Sequence, residues 1–285
     1  MQYRELGQTG RRLSVIGLGA IVVRNMPQLD VNRLVADAID RGVNYFDFGP
    51  AYGDPEEKLG PALEGRRDGL FLACKTRMRD AAGAQRELDR SLKRLRTDHF
   101  DLYQLHGMTD ADEVDQVLEA DGALGVFQRA REQGKVRYLG FSAHSVEAAI
   151  ELMRRFPFDT CLFPLNFCTY LGGNFGPQVV EAARDSGVGL LALKGMAKTK
   201  WPDGLTPEDR PFQTWYEPIT DEEVASLAMR FTLSLPVAAA IPPGSAKLWD
   251  VAMRVAQDPQ PLSAQEKRHV HELAVATEPI FPSVA

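Results

Sequence analysis

Eight short apolar runs, each followed by residues at helical hydrophobic spacing, recur along this chain, and that alternation restricts it to a parallel strand-and-helix architecture. The runs lie at 16–20, 45–48, 70–74, 100–105, 136–141, 160–165, 189–193 and 238–241. Helices are expected behind Asp30 over 31–39, then at 56–64, 82–96, 111–133, 146–155, 177–186 and 246–256. A late helix opens on Thr220-Asp221-Glu222-Glu223, which has the pattern of a capping box. In 82–96, Leu88, Leu92 and Leu95 mark the buried face, opposite Arg86, Arg90, Lys93 and Arg94. Repeat counting alone does not separate a closed barrel from an open doubly wound sheet, but near-continuous apolar strands favour closure. The expected fold is a (β/α)8 TIM barrel. Residues 2–6 and 12–15 flank Gly7-Gln8-Thr9-Gly10 and read as a β-hairpin capping the barrel's closed end. A last helix opening on Ser263-Ala264-Gln265-Glu266 is an extra one, expected on the outside. Residues 1–285 form one domain on this reading, since such barrels commonly run to about 250 residues.

Charge and composition narrow the partners. A net charge of -6, a pI near 5.5 and no long basic run argue against a nucleic-acid footprint and for a small-molecule partner. No apolar stretch reaches the ~18 residues of a membrane span, and the start lacks a basic-then-apolar signal, so a cytoplasmic protein off the membrane is expected. The three cysteines, Cys74, Cys161 and Cys168, form no C-x-x-C pair and fit reduced thiols. No sustained heptad is present from which to argue an oligomeric interface.

The chemistry concentrates where the apolar runs end. Gly42-Val43-Asn44-Tyr45-Phe46-Asp47-Phe48-Gly49-Pro50-Ala51-Tyr52-Gly53 carries an acidic residue out of a buried strand, a costly placement unless it is paired. Two later runs deliver such partners at their ends: Lys75 and His106. In a parallel barrel those ends meet on one face, which is where catalysis sits. Together Asp47, Tyr52, Lys75 and His106 make a proton-donor site. An ammonium beside a phenol is expected to bring its proton affinity down toward the working range, Asp47 holds Lys75, and His106 orients a carbonyl oxygen.

The run Gly42-x-x-x-Phe46-Asp47-x-x-x-x-Tyr52-Gly53-x-x-Glu56-x-x-Leu59-Gly60, with Lys75 and His106 following in order, resembles the aldo-keto reductase family. So do Arg137-Tyr138-Leu139-Gly140-Phe141-Ser142 and Ile241-Pro242-Pro243-Gly244. The resemblance implies reduction of an aldehyde or ketone with a nicotinamide cofactor, NADP(H) by preference with NAD(H) as the alternative. Tyr52 is then the general acid, Lys75 and Asp47 its tuning pair, and His106 the carbonyl-orienting donor.

The cofactor side departs from the family pattern. Ser142 is retained but Ala143 and His144 follow it, Leu162 and Leu165 stand where polar and aromatic residues are usual while Asn166 is kept, and Leu193-Lys194 replaces the ring-stacking Tyr and its small polar neighbour. An aliphatic cover gives up part of an aromatic contact worth about 0.5–1.5 kcal/mol. Lys194 is a candidate for the pyrophosphate. Pro243, Gly244, Ser245 and Lys247 occupy the position of the 2′-phosphate cradle, and Arg254 that of the adenine contact. Gly19 is kept as a cofactor-side position, although Gly17-x-Gly19 is only half of a dinucleotide fingerprint.

For the substrate, His144, Phe167, Trp201 and Trp215 join Tyr52 and His106, with Tyr170, Phe175 and Tyr216 as further aromatic candidates. Residues 194–219, rich in Pro and aromatics, form a loop of a length that is usually functional. Three other readings compete: a nucleotide-binding barrel serving as redox sensor or scaffold, a Schiff-base lyase using Lys75, and a metal-dependent hydrolase using Asp47, His106 and His144.

Overall fold

The computed structural model describes residues 1–281 and 284. The hairpin β1 (Tyr3–Glu5) and β2 (Arg12–Ser14) is antiparallel. The barrel strands are then β3 (Leu18–Gly19), β4 (Tyr45–Asp47), β5 (Phe71–Thr76), β6 (Phe100–Met108), β7 (Val136–Ala143), β8 (Thr160–Pro164) and β9 (Gly189–Leu193). After β9 come a second hairpin, β10 (Ala197–Lys200) and β11 (Tyr216–Pro218), and the last barrel strand, β12 (Ala239–Ile241). The eight barrel strands are parallel and each pairs with its neighbour in chain order.

Closure occurs just before β3. Ile16 bridges Ala240, the Gly17 N–H donates to the Ala240 carbonyl at 3.0 Å, and the Ala240 N–H donates to the Val15 carbonyl at 2.9 Å. This seam explains the two glycines. A Cβ on Gly17 would lie 2.6 Å from the Tyr45 ring, and one on Gly19 2.7 Å from an Ile241 methyl. Their spacing is accounted for by strand packing.

The helices on the outside are α1 (Gln28–Asp40), α2 (Pro55–Leu63), α3 (Ala81–Arg94), α4 (Ala111–Leu118), α5 (Ala123–Glu132), α6 (Val146–Arg155), α7 (Pro177–Ser186), α8 (Glu222–Ser234), α9 (Ala246–Gln257) and α10 (Ala264–Val275). Leu88 and Leu92 of α3 are buried as the pattern requires, and Leu95 is buried one residue past the helix. Local corrections have physical causes. α1 starts at Gln28 after Pro27, which places Asp30 in its first turn rather than at its cap. The expected helix over 111–133 is two, because the backbone at 121–123 leaves the helix to bond with 79–81: Ala81 N–H donates to Asp121 O, and Ala123 N–H to Arg79 O. At α8 the cap is Asp221, whose carboxylate accepts from Val224 N–H at 2.9 Å, so the box expected on Thr220 does not form. The box on Ser263 and Glu266 does.

The hairpin β1–β2 covers the end of the barrel where the strands begin. Leu6 and Leu13 join Phe71, Leu102, Leu162 and Leu191 in a buried interior cluster, and Tyr138 donates to Thr9 O at 2.9 Å. A larger core fills the space between the strands and the helices. The extra helix α10 lies against α8 and against a short π-helical turn (Cys168–Gly172) that follows β8. Among the described residues no helix is long and apolar enough to cross a membrane.

Candidate active site

Opposite the hairpin cap, the strand ends surround a cleft of about 700 Å³. Its floor collects one residue from almost every strand: Asp47, Lys75, His106, Ser142, Leu162, Leu193 and Ile241. Tyr52 reaches it from a short 3-10 turn (Pro50–Tyr52) just after β4. Parallel strands carry every C-terminal end to the same face, so residues far apart in sequence are neighbours here.

The buried Lys75 ammonium donates to Asp47 Oδ2 and, at 3.0 Å, to the Phe48 carbonyl. Tyr45 donates to the other carboxylate oxygen of Asp47 at 3.4 Å. Burial alone would lower the proton affinity of Lys75, but Asp47 and then Tyr52 outweigh it and raise its pKa, so the residue is held charged. Its Nζ lies 5.5 Å from the centre of the Tyr52 ring, and the His106 ring meets Tyr52 edge-on at 5.7 Å. For Tyr52 the expectation is corrected in sign. Burial, the largest influence, raises the phenol's pKa, Lys75 pulls it back, and Asp47 pushes it up again; the net direction is upward.

His106 owes its aim to a defect in the sheet. The β6–β7 ladder slips between Leu105 and Met108, and Gly107 takes φ +69°, a left-handed value that costs other residues strain. The Gly107 N–H donates to Ser142 Oγ at 2.8 Å, and Arg79 donates to the His106 carbonyl at 3.1 Å while pairing with Glu113. Burial, then Lys75 and Arg77, hold the imidazole well below its ordinary pKa, so it is neutral. Its Nδ1 is buried with no partner among the described residues. An unbonded lone pair there costs less than an unbonded N–H, which favours the proton on Nε2.

On the other side of the cleft, Lys194 closes β9 with φ +61°, uncommon for a residue with a side chain. It is 8% exposed, its Nζ stands 2.9 Å from His144 Nε2, and the Trp215 ring centre lies 5.4 Å away. Burial, then Lys75, bring its pKa down to about 7. Burial, then Lys194, also hold His144 well below its usual value, so the imidazole is neutral and accepts when Lys194 is charged.

The expected long loop is the strap over this cleft, and it is partly ordered as the hairpin β10–β11 rather than unstructured. Phe212, Trp215 and Tyr216 line the cleft, Trp201 donates to Thr214 O at 2.8 Å, and Gln213 reaches the Arg24 carbonyl at 3.3 Å across the mouth.

Several candidates fall outside. Asn166 is fully buried, its Oδ1 bracing the turn after β8 by accepting from Thr169 N–H at 3.0 Å and its Nδ2 without a partner among the described residues. Phe167 lines a separate small pocket beside Lys198 and Ile219, Trp201 is used to close the strap, and Tyr170 packs on Phe231. Pro243 and Gly244 line the cleft, whereas Ser245 caps α9 through Leu248 N–H. Lys247 and Arg254 stand exposed on α9 and share the carboxylate of Glu222, at 3.6 and 2.8 Å; Arg254 also pairs with Asp250.

Several residues at the site had no candidate role in the sequence, Arg24, Arg77, Arg210 and Phe212 among them. Arg77 lines the cleft two residues beyond Lys75, a period-two signal that was there to be used. Phe281, past the last helix, stacks on Phe175 at 4.6 Å and meets His144 at 5.4 Å and Trp215 at 5.8 Å. No periodic pattern marks it.

Comparison with known proteins gives a consistent result. The family model described as the aldo/keto reductase family matches residues 15–214. The aldo-keto reductase YhdN of Bacillus subtilis is 30% identical over 73% of this chain and 66% of its own length. L-galactose dehydrogenase of Arabidopsis thaliana is 26% identical, over 74% and 70% respectively. The match to the uncharacterized oxidoreductase YqkF of Bacillus subtilis, at 32% identity, spans only 50% of this chain and 49% of that protein. Among solved structures, the holo form of an aldo-keto reductase from Bacillus halodurans superposes with a TM-score of 0.74 at 22% identity, over 96% of each chain. A glycerol dehydrogenase from Gluconobacter oxydans gives 0.72 at 21%, over 99% and 98%. At those identities the superpositions speak for the barrel fold alone.

Proposed function

The chain belongs to the aldo/keto reductase family of NAD(P)H-dependent oxidoreductases, and from that premise we propose that it reduces an aldehyde or ketone to an alcohol with NADPH, using Tyr52 as the proton donor. One observation supports this most: Tyr52, Lys75, Asp47 and His106 meet in a single cleft, with a buried ion pair to Asp47 holding Lys75 as an ammonium against the phenol.

The cleft suits a nicotinamide cofactor on this chain's own chemistry. Ser142, its hydroxyl already accepting from Gly107, keeps a proton to donate; Leu162, Leu193 and Tyr216 offer apolar cover; Pro243 and Gly244 lead into the N-terminus of α9. The cofactor, when bound, supplies the hydride that reaches the carbonyl carbon. His106 donates from Nε2 to the carbonyl oxygen and orients it. Tyr52 transfers its proton to that oxygen as charge develops, and Lys75 stabilises the phenolate left behind, itself neutralised by Asp47. In the reverse direction the phenolate is the base. The Schiff-base alternative loses its nucleophile, because an ammonium held by Asp47 has no free lone pair.

The preference for NADPH rests on Lys247 and Arg254, with Glu222 limiting it, since that carboxylate competes with a 2′-phosphate for both cations. Titration of tryptophan fluorescence with NADPH and with NADH tests the reading. We expect tighter NADPH binding, a preference narrowed by Lys247→Ala and widened by Glu222→Gln. Absence of binding by either cofactor would contradict the proposal, and equal effects of both substitutions on the two cofactors would remove the 2′-phosphate assignment.

A further inference from the structure

Lys194 puts a basic nitrogen in the buried lining of the cleft. Among the described residues no carboxylate lies within 4 Å of it; its polar contact is His144 Nε2 and its remaining company is the face of Trp215. A buried charge costs several kcal/mol unless something compensates it, and a left-handed backbone at a residue with a side chain adds strain. Methionine or leucine would fill the same space without the cost of the charge, the backbone strain being the same for any residue with a side chain. The setting is also electrostatically one-sided. Arg24, Lys75, Arg77, Lys194 and Arg210 line the cleft, against only Asp47 and Glu208 as carboxylates, in a chain whose net charge is -6. Asp47 is taken by Lys75, so the rest of the described lining carries an excess of positive charge.

We propose that Lys194, braced by His144, is an anion subsite for the substrate, and that the preferred carbonyl compounds carry a carboxylate a few bonds from the carbonyl, as aldehyde acids and oxo acids do. The inference rests on the reductase reading of the same cleft. One N–H of the Lys194 ammonium is given to His144, which leaves two for a carboxylate. His144 is in turn packed against Phe281, which holds the accepting imidazole in place. The Trp215 face, backed by Phe281, gives the body of the substrate an aromatic wall beside that charge. The low proton affinity of an empty Lys194 agrees with a site that lacks its anion, and binding of a carboxylate would raise it.

The alternative source of the anion is the cofactor's diphosphate, and one experiment separates the two. The full-length protein, with Lys194→Met and Lys194→Gln variants, is assayed with NADPH on 2-carboxybenzaldehyde and its methyl ester, and on succinic semialdehyde and its methyl ester. We expect the wild type to favour each acid over its ester by at least tenfold in kcat/KM. Both variants should collapse that ratio at least tenfold, mainly through KM. A ratio that is the same in wild type and variants overturns the subsite. So does an equal loss on acids and esters accompanied by a tenfold weaker NADPH Kd, which would give Lys194 to the diphosphate. Should the wild type reduce none of these compounds, the reductase reading fails separately, and binding of phthalate, which has no carbonyl to reduce, is read from tryptophan fluorescence. Phthalate binding weakened tenfold by Lys194→Met supports the subsite without turnover; no binding, or equal binding, overturns it.

Discussion

A phenol serves as an acid only while it keeps its proton, and at Tyr52 burial outweighs the pull of Lys75, so that proton is retained beyond the ordinary tyrosine range. The consequence is a pH profile with a definite sign. Reduction depends on protonated Tyr52 and should stay level across neutral pH, falling only as pH rises past the raised pKa; alcohol oxidation depends on the phenolate and should climb over the same alkaline range. Profiles of kcat/KM in both directions check this, and a fall in reduction near neutrality would assign the acid to another group. Asp47, Lys75, His106 and Tyr52 were legible in the sequence because the first three close apolar runs and Tyr52 follows in the loop after one of them, and a barrel turns that one-dimensional fact into proximity. The sign of the Tyr52 shift was not legible, since it depends on how much water the strap and neighbouring strands exclude. Nor was the contact between Lys194 and His144, which sit at the ends of two strands that are not adjacent in the barrel.

Strands and helices follow the hydrophobic period closely, and the departures occur where backbone groups find partners outside their own element. The expected helix over 111–133 breaks because residues 121–123 bond to 79–81, and Gly122 lets the chain turn tightly: a Cβ there would lie 2.4 Å from the Gln116 carbonyl. No periodicity encodes such a contact. At α8 two adjacent capping residues compete, and the side chain of Asp221 bonds Val224 N–H. Asp221→Ala should therefore cost about 1 kcal/mol of unfolding free energy, while Thr220→Ala costs much less. Chemical denaturation of the two variants decides it, and the reverse order would restore the box on Thr220. The hairpin β10–β11 was read as loop because its strands are short and interrupted by Pro and polar residues. Its aromatic content nonetheless marked the segment as one with work to do, and Trp215 and Tyr216 do face the cleft.

Taken as a whole, the molecule is a barrel plugged at one end by a hairpin and roofed at the other by elements from distant parts of the chain. The strap after β9 completes a wall that the barrel strands alone do not supply, and Phe281 beyond α10 backs it through Trp215 and His144. The helix expected to pack passively on the outside also braces the turn after β8 and leads the chain back to His144. Roofing of this kind varies independently of the barrel, which is why the fold could be read from its repeats whereas the substrate's surroundings needed coordinates. The central claim, proton donation by Tyr52 in a nicotinamide-dependent carbonyl reduction, is tested most directly by comparing wild type and Tyr52→Phe for NADPH oxidation on an aldehyde at saturating cofactor, with NADPH affinity measured on both. The account predicts a kcat lower by about 10²–10⁴ in the variant with cofactor affinity kept within a few fold; turnover close to wild type would contradict it.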